Sequence, residues 1–285
     1  MAGIFSGLEK LGLGNLGGGN LFEDPAKKEE PVKKEEPKKK LVLAKEEDFL
    51  FDKKYKCPVC EIDFSVKAVR TGKVRMKNVD MDLRPDYDEV DMSKYEVIAC
   101  PDCGYAALGR YFPTINKYQI DDVRVKISMN YKQMHYNEPT YSYEYAKSLY
   151  QLALANAVVK KAKNSEKAYI CLRNAWLIRG ETQRLDQADP DYEEKKKTND
   201  AQEKELLVNA LNGFVMARQS EEFPIAGMDA STLDYLMAAL AVETEDYEIA
   251  GKLISELLTS RTANSRIKDK ARDLKDIMAE KKGEA

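Results

Sequence analysis

The sequence predicts an α+β protein, mainly α, in which a small β ribbon precedes an antiparallel helical-hairpin domain. Three observations predict this order. Two Cys-x-x-Cys pairs lie among short β-like segments, apolar residues take up helical spacing after Pro113, and a run rich in Lys, Glu and Pro precedes both. We therefore divide the chain into a disordered Gly-rich tail and charged linker (1–47), a ribbon-like domain (48–115) and a helical domain (116–285).

Composition limits the class of protein. A chain of 285 residues with 43% hydrophobic residues can build one large core or two modest ones. Its 46 Lys and Arg residues nearly balance 49 Asp and Glu residues, so a net charge of -3 creates no global field that attracts nucleic acid. The sequence shows no apolar run of about 18 residues and no secretory pattern. We expect a cytoplasmic protein without a membrane span, in which paired cysteines bind metal rather than form disulfides.

The N-terminal segment combines a Gly-rich stretch with a charged one. Residues 1–24 also carry apolar side chains at roughly helical spacing, namely Ile4, Phe5, Leu8 and Leu11. Glycine opposes an isolated helix, so an unstructured tail is favoured over a short docking helix. Residues 26–47 alternate Lys and Glu runs with Pro31 and Pro37, which predicts a solvated spacer.

Two cysteine pairs carry the clearest chemistry of the sequence. Each forms a Cys-Pro-x-Cys turn, Cys57–Cys60 and Cys100–Cys103, and Gly104 can adopt the positive φ that the second turn requires. The four thiolates fill the tetrahedral shell of zinc and leave no open position for activating water. The sequence therefore predicts a zinc ribbon with one structural ion. An iron centre of the rubredoxin type uses similar turns and is the alternative.

The segment between the two pairs is long and polarised. Its 39 residues exceed the usual ribbon spacing of about 15 to 20, so we expect an inserted hairpin and loop. Basic residues that could contact phosphates come first: Lys67, Arg70, Lys73, Arg75 and Lys77. Acidic residues follow: Asp80, Asp82, Asp86, Asp88, Glu89 and Asp91. Neutralisation between the two sets is the simpler interpretation, and nucleic-acid binding is the alternative.

Helical spacing of apolar residues dominates the rest of the chain. The stripes run through Ile120, Val123, Ile127, Tyr131 and Met134; Tyr145, Leu149, Leu152 and Val159; Ala168, Leu172, Ala175 and Ile178; Leu207, Leu211 and Phe214; Leu233, Leu236, Met237 and Leu240; and Tyr247, Ala250, Leu253, Ile254 and Leu257. Pro190 separates two of these helices, Asp229 or Ser231 can cap a later one, and the last helix runs from about Ala263 to Lys281. Paired helices with short links predict tetratricopeptide-like hairpins.

No recognisable catalytic constellation accompanies these elements. The sole histidine, His135, lies at a predicted helix end, where we expect it to cap carbonyl groups, and Cys171 is expected as a small buried hydrophobe. The sequence thus favours a non-catalytic interaction or adaptor protein. An enzyme with a site between ribbon and helices, using Asp82, Arg84 and Asp86, is the alternative.

A protein or peptide is the expected partner, because helical hairpins present grooves to extended or helical segments. Three tyrosines, Tyr141, Tyr143 and Tyr145, cluster at the start of one predicted helix. A two-residue offset places Tyr143 and Tyr145 on different faces, so at least one should be exposed. Tyr143 is therefore a candidate partner contact, and packing against the ribbon is the alternative.

Several runs of residues resemble one bacterial family. These runs are CPVC, KAVRTGKVR, DMDLRPDY, CPDCGYAALGRYF and SEKAYICLRNAWLIRG. From about Tyr55 to about Met278 the chain resembles the family catalogued as domain of unknown function 2225. The resemblance implies a zinc-ribbon-like head and a tetratricopeptide-like helical body, with the four cysteines at the family's knuckle positions. It implies no biochemical activity.

Overall fold

The computed structural model describes residues 45–133 and 136–284. These residues belong to one compact unit. The predicted Gly-rich tail, most of the charged linker and the predicted helix cap at His135 lie outside the described residues. The last residues of the predicted linker are folded, since Glu46–Phe49 form a 3-10 turn. The Glu46 carboxylate holds this turn by pairing with the buried Lys94 at 2.7 Å.

Within the described part of the chain, the strands form three separate hairpins. The strands are β1 (Leu50–Lys56), β2 (Asp63–Val69), β3 (Met76–Val79), β4 (Pro85–Tyr87), β5 (Val97–Ala99) and β6 (Ala106–Leu108). Each strand pairs antiparallel with its neighbour in sequence, as β1–β2, β3–β4 and β5–β6. The first and third hairpins each contain one cysteine pair in their turn. The second is the hairpin that the long spacing between the pairs predicts.

Helices follow the strands, so the predicted α+β, mainly α class is confirmed. The helices are α1 (Lys117–Val123), α2 (Tyr143–Val159), α3 (Asn164–Thr182), α4 (Tyr192–Ser220), α5 (Ala230–Glu243), α6 (Tyr247–Thr259) and α7 (Ser265–Glu284). Asp229 caps α5 by accepting a hydrogen bond from the Thr232 amide, as predicted. Each of α2 to α6 packs against the next helix in sequence. The tetratricopeptide-like repeat itself stays a prediction.

The first predicted helix is shorter than its apolar stripe suggests. Helix α1 continues as a π-helical turn, Arg124–Ser128, and ends there, before Tyr131. The Tyr131 ring instead packs on Gly104, so closely that a Cβ at Gly104 would lie 2.5 Å from the ring. A tertiary contact with the second cysteine turn therefore overrides the local helical pattern.

The ribbon and the helices share a hydrophobic core. Strand residues such as Val97 and Leu108 cluster with Leu149, Tyr150 and Ala153 of α2. Tyr150 is 1% exposed, and its hydroxyl donates to the backbone carbonyl of Ser93 at 3.0 Å. Burying a side chain of this size contributes about 1.5–3 kcal/mol. A second core joins α3 to α7, and a third surrounds the cysteines.

No helix within the described ranges is long and apolar enough to cross a lipid bilayer.

Candidate metal centre

The two cysteine turns have matching backbone geometry. In the first, the Cys57 amide donates to the Ile62 carbonyl at 3.0 Å, and in the second the Cys100 amide donates to Tyr105 at 2.8 Å. In each turn the residue just after the second cysteine has positive φ, 64° at Glu61 and 72° at Gly104. The predicted role of Gly104 is confirmed. Glu61 adopts the same left-handed conformation with a side chain, which the sequence did not suggest.

The four sulfur atoms converge on one point. The Sγ atoms of Cys57 and Cys103 are 3.6 Å apart, those of Cys60 and Cys100 are 3.5 Å apart, and all four lie within 4.8 Å of one another. Tetrahedral ligation at about 2.3 Å per sulfur requires sulfur–sulfur distances of about 3.8 Å. The four side chains therefore fit a single metal ion and could hold one.

Crowding separates the pKa values of the thiols. Hydrogen bonds from the thiols of Cys100 and then Cys103 lower the pKa of Cys57 to about 4. Hydrogen bonds to Cys100 and then Cys57, which favour the protonated thiol, raise the pKa of Cys103, and burial raises it further. Full deprotonation of all four would require a compensating cation, and a bound divalent metal supplies that charge.

Helical side chains hold both turns. Arg124, in the π-helical turn after α1, donates from Nη2 to the Val59 carbonyl at 2.6 Å. Asn156 of α2, which is fully buried, donates from Nδ2 to the Gly104 carbonyl at 2.9 Å. The centre is therefore anchored to the helical body at both turns. Three of the four cysteines are buried, which leaves a bound ion little access to solvent.

Cys171 takes no part in this centre. It is buried in α3, and burial raises the pKa of its thiol to about 11. A protonated, buried thiol is a poor nucleophile. The predicted interpretation as a small hydrophobe therefore agrees with its surroundings in the core of α3 to α7.

Two of the residues proposed for an enzyme site belong to a buried ion network. Asp82 is fully buried, and its Oδ2 accepts from Trp176 Nε1 at 2.7 Å and pairs with Arg179 Nη1 at 3.1 Å. Arg84, 3% exposed, donates to Asp80 at 3.0 Å. Asp86 lies half-buried on β4. Asp82 thus connects the inserted hairpin to α3, and Arg84 donates to Gln183, the residue just after that helix, at 3.1 Å. Both Asp82 and Arg84 are closed off from solvent.

Arg179 is the centre of the network and was missed by the sequence analysis. Besides Asp82, it pairs with Glu203 of α4 at 2.6 Å and with Glu243 of α5 at 2.8 Å. Burial and then Asp82 raise the pKa of Glu243 to about 7, and burial raises that of Glu203. The only available signal was the spacing of Trp176 and Arg179, which places both on one face of α3.

The predicted phosphate-contacting residues are partly neutralised by acids of the same region. Lys67 pairs with Asp52 at 2.9 Å and Lys77 with Asp88 at 3.6 Å. Arg70 stacks on the Phe51 ring, 5.2 Å from its centroid. The remaining two, Lys73 and Arg75, are exposed near the tip of the insertion. Of the five, Lys77 pairs with an acid of the predicted acidic set, whereas Lys67 pairs with an acid of β1. Neutralisation between the two sets and phosphate contact both stay predictions.

Tyr143 packs against the ribbon side of the molecule. Its hydroxyl donates to Asp91 Oδ2 at 2.9 Å, and its ring lies 5.2 Å from the Lys94 ammonium. Tyr143 and Tyr145 are both half-buried rather than exposed. The reason is that Tyr145 stacks on Tyr136, with centroids 3.9 Å apart, while Tyr143 reaches the buried Asp91. A role for Tyr143 in binding a partner stays a prediction.

Together, the fold and the site define a four-thiol ribbon protein with a helical body. Residues 50–278 match the family model DUF2225, described as an uncharacterized protein conserved in bacteria. The match covers most of the chain, so the protein belongs to that family, as the resemblance of its sequence runs predicted. No curated protein and no solved structure matches the chain.

Proposed function

We propose that this protein is a non-catalytic, zinc-binding adaptor of the cytoplasm, whose tetratricopeptide-like helical body holds a basic segment of a partner protein. The observation that carries the proposal is a groove between α2 and α4. Helix α3 packs against both and forms the floor. Two cavities of about 530 and 260 Å³ line the groove and share Lys147 and Gln202.

The charge of this α2–α4 groove indicates the chemistry of the partner. Its lining contains five acids and two lysines, Glu144, Glu181, Asp191, Glu194, Glu205, Lys147 and Lys195. Lys147 pairs with Glu181 at 2.8 Å and Lys195 with Asp189 at 2.6 Å. Among the described residues, no ion pair involves the other four acids. Unpaired carboxylates along a groove favour Lys- and Arg-rich segments.

Zinc in the ribbon supports this function indirectly. Four thiolates close the coordination shell, so the ion would stabilise the ribbon rather than act on a substrate. The hydrogen bonds from Arg124 and Asn156 would then transmit that rigidity to α1 and α2. A rigid α2 keeps one wall of the groove in place, which lowers the entropic cost of binding.

Fluorescence polarisation with labelled peptides of about ten residues tests the proposal. We expect Lys- and Arg-rich peptides to bind and matched Glu-rich peptides not to bind. The double variant Glu194→Lys/Glu205→Lys should weaken binding at least about tenfold, because it reverses two unpaired groove charges. Glu280→Lys on α7, away from the groove, is the matched control. Equal binding of acidic and basic peptides, or equal loss in the control, would refute the proposed function.

A further inference from the structure

A third cavity, apart from the two of the α2–α4 groove, has an excess of positive charge in its lining. It has a volume of about 310 Å³ and lies between the first hairpin, the third hairpin and α3. We call it the ribbon cleft and define it by Lys53, Tyr55, Glu96, Arg110, Tyr169 and Arg173. Tyr95 and Lys67, which is paired with Asp52, also line it. Small-molecule sites in proteins are usually clefts of about 300–1,000 Å³, so the cleft is large enough for a small organic ligand.

Positive charge is in excess in the ribbon cleft. Glu96 neutralises Arg173, with which it forms an ion pair on the α3 wall. Among the described residues, neither Lys53 nor Arg110 forms an ion pair with a carboxylate. The Arg110 guanidinium lies 5.1 Å from the centroid of the Tyr169 ring, and the Lys53 ammonium lies 5.1 Å from that of Tyr55. Arg110 Nη1 also donates to the backbone carbonyl of Ala226, which occupies one of the five N–H donors of the guanidinium. The remaining donors of Arg110 and the Lys53 ammonium, on different walls, could contact an anion.

The remaining lining suits a planar organic group. Tyr55 and Tyr169 are half-buried, so part of each aromatic surface borders the cleft. Arg173 is held rigidly, since its guanidinium lies 4.5 Å from the Trp176 ring centroid and also donates to Glu96 at 2.6 Å. Because its guanidinium is already paired with Glu96, Arg173 forms a fixed part of the α3 wall and is not counted among the cations that contact the phosphate.

We propose that the ribbon cleft binds a small phosphate monoester with an aromatic ring, of the size of a mononucleotide. Lys53 and Arg110 contact the phosphate, and the tyrosine rings contact the planar group. A long nucleic acid is disfavoured, because the net charge of the chain is -3 and the basic residues of the insertion are partly paired with acids. The site is separate from the α2–α4 groove and does not rest on the proposed adaptor function.

Isothermal titration of the full-length protein with AMP tests this proposal, with adenosine and inorganic phosphate as comparison probes. We expect AMP to bind, adenosine to bind at least about tenfold more weakly, and inorganic phosphate to compete with AMP. Binding should weaken as salt concentration rises, because the contacts are ionic.

Lys53→Met and Arg110→Met should each weaken AMP binding about tenfold, since each removes one charge-assisted contact. Lys53 is exposed and forms no ion pair within the described residues, so Lys53→Met should melt at the wild-type temperature. Arg110→Met also removes a hydrogen bond to the Ala226 carbonyl, so its binding is measured well below its own melting temperature. Lys54→Met is the matched control, because Lys54 is an exposed lysine next to Lys53 but on the opposite face of β1. No AMP binding up to about 5 mM, unchanged binding in both cleft variants, or an equal loss in Lys54→Met would overturn the proposal.

Discussion

Replacement of one network carboxylate should stabilise the protein in a pH-dependent way. Glu243→Gln is expected to raise the free energy of unfolding at pH 8 and to leave it nearly unchanged at pH 5. Burial, followed by the charge of Asp82, raises the pKa of Glu243 from 4.5 to about 7. The folded state therefore binds more protons than the unfolded state between these values. It follows that the wild-type protein loses stability as the pH rises from 4.5 to about 7.

The magnitude follows from the same two pKa values. Their difference corresponds to about 3 kcal/mol, at about 1.4 kcal/mol for each pKa unit. The Glu243 side chain is 15% exposed, so solvent reduces this free-energy difference only slightly. Glutamine has the shape of the protonated acid and can still accept a hydrogen bond from Arg179. We therefore expect a gain of about 1–3 kcal/mol at pH 8.

Urea unfolding followed by circular dichroism at both pH values measures this effect. Glu245→Gln is the matched control, because Glu245 is near in sequence but 64% exposed and, within the described ranges, paired with Lys204 alone. Its substitution should change the free energy of unfolding by less than about 1 kcal/mol at either pH. A loss of stability in Glu243→Gln at pH 8, or an equal gain at pH 5, would refute the reasoning.

Two further predictions concern the contact between the ribbon and the helices. Gly180→Ala should lower the melting temperature by several degrees, because a Cβ at Gly180 would overlap the Asp91 carboxylate. The control Gly251→Ala on α6 should raise the melting temperature slightly, because no atom lies within 4 Å of a Cβ at that position. An equal gain in both variants would contradict the predicted overlap. Tyr143→Phe should lower the free energy of unfolding by about 1 kcal/mol, since the buried Asp91 loses a hydrogen-bond donor. Tyr118→Phe, at an 83% exposed residue, should have no effect in the same denaturation experiment, and identical results for the two would exclude a structural role of the Tyr143 hydroxyl.

The sequence predicted those features that local chemistry determines. A Cys-Pro-x-Cys turn is a local structure, and both turns appear where the spacing placed them, the second followed by Gly104 and the first by Glu61. The helices from α2 onwards follow the 3.6-residue period of their apolar stripes, with Pro190 in the link between α3 and α4. The cap at Asp229 is likewise a local hydrogen bond.

Features that depend on contacts between distant segments were not predictable. Arg179 gathers carboxylates from the β3–β4 hairpin, α4 and α5, and no local spacing connects these residues. The ribbon cleft likewise brings Lys53 of β1 close to residues of α3 only after folding. The prediction that Tyr143 or Tyr145 is exposed was wrong for the same reason, because the Tyr143 hydroxyl donates a hydrogen bond to Asp91, a residue distant in sequence.

The shared core also bears on how the ribbon and the helices respond to metal loss. Leu108 of the third hairpin and Leu149 of α2 lie in one cluster, so a disordered ribbon would expose apolar surface of α2. The hydrogen bond from Asn156 to Gly104 would be lost as well. Metal in the cysteine centre is therefore expected to stabilise both parts of the molecule.

Metal content tests the central claim most directly. Elemental analysis of protein purified with sufficient zinc and then dialysed against EDTA should find one zinc per chain. Cys100→Ser should lose most of it, while Cys171→Ser, which alters the buried cysteine of α3, should keep the full amount. A zinc content well below one per chain in the wild type, visible absorption from bound iron, or an equal loss in Cys171→Ser would contradict the assignment of a zinc ribbon to these four cysteines.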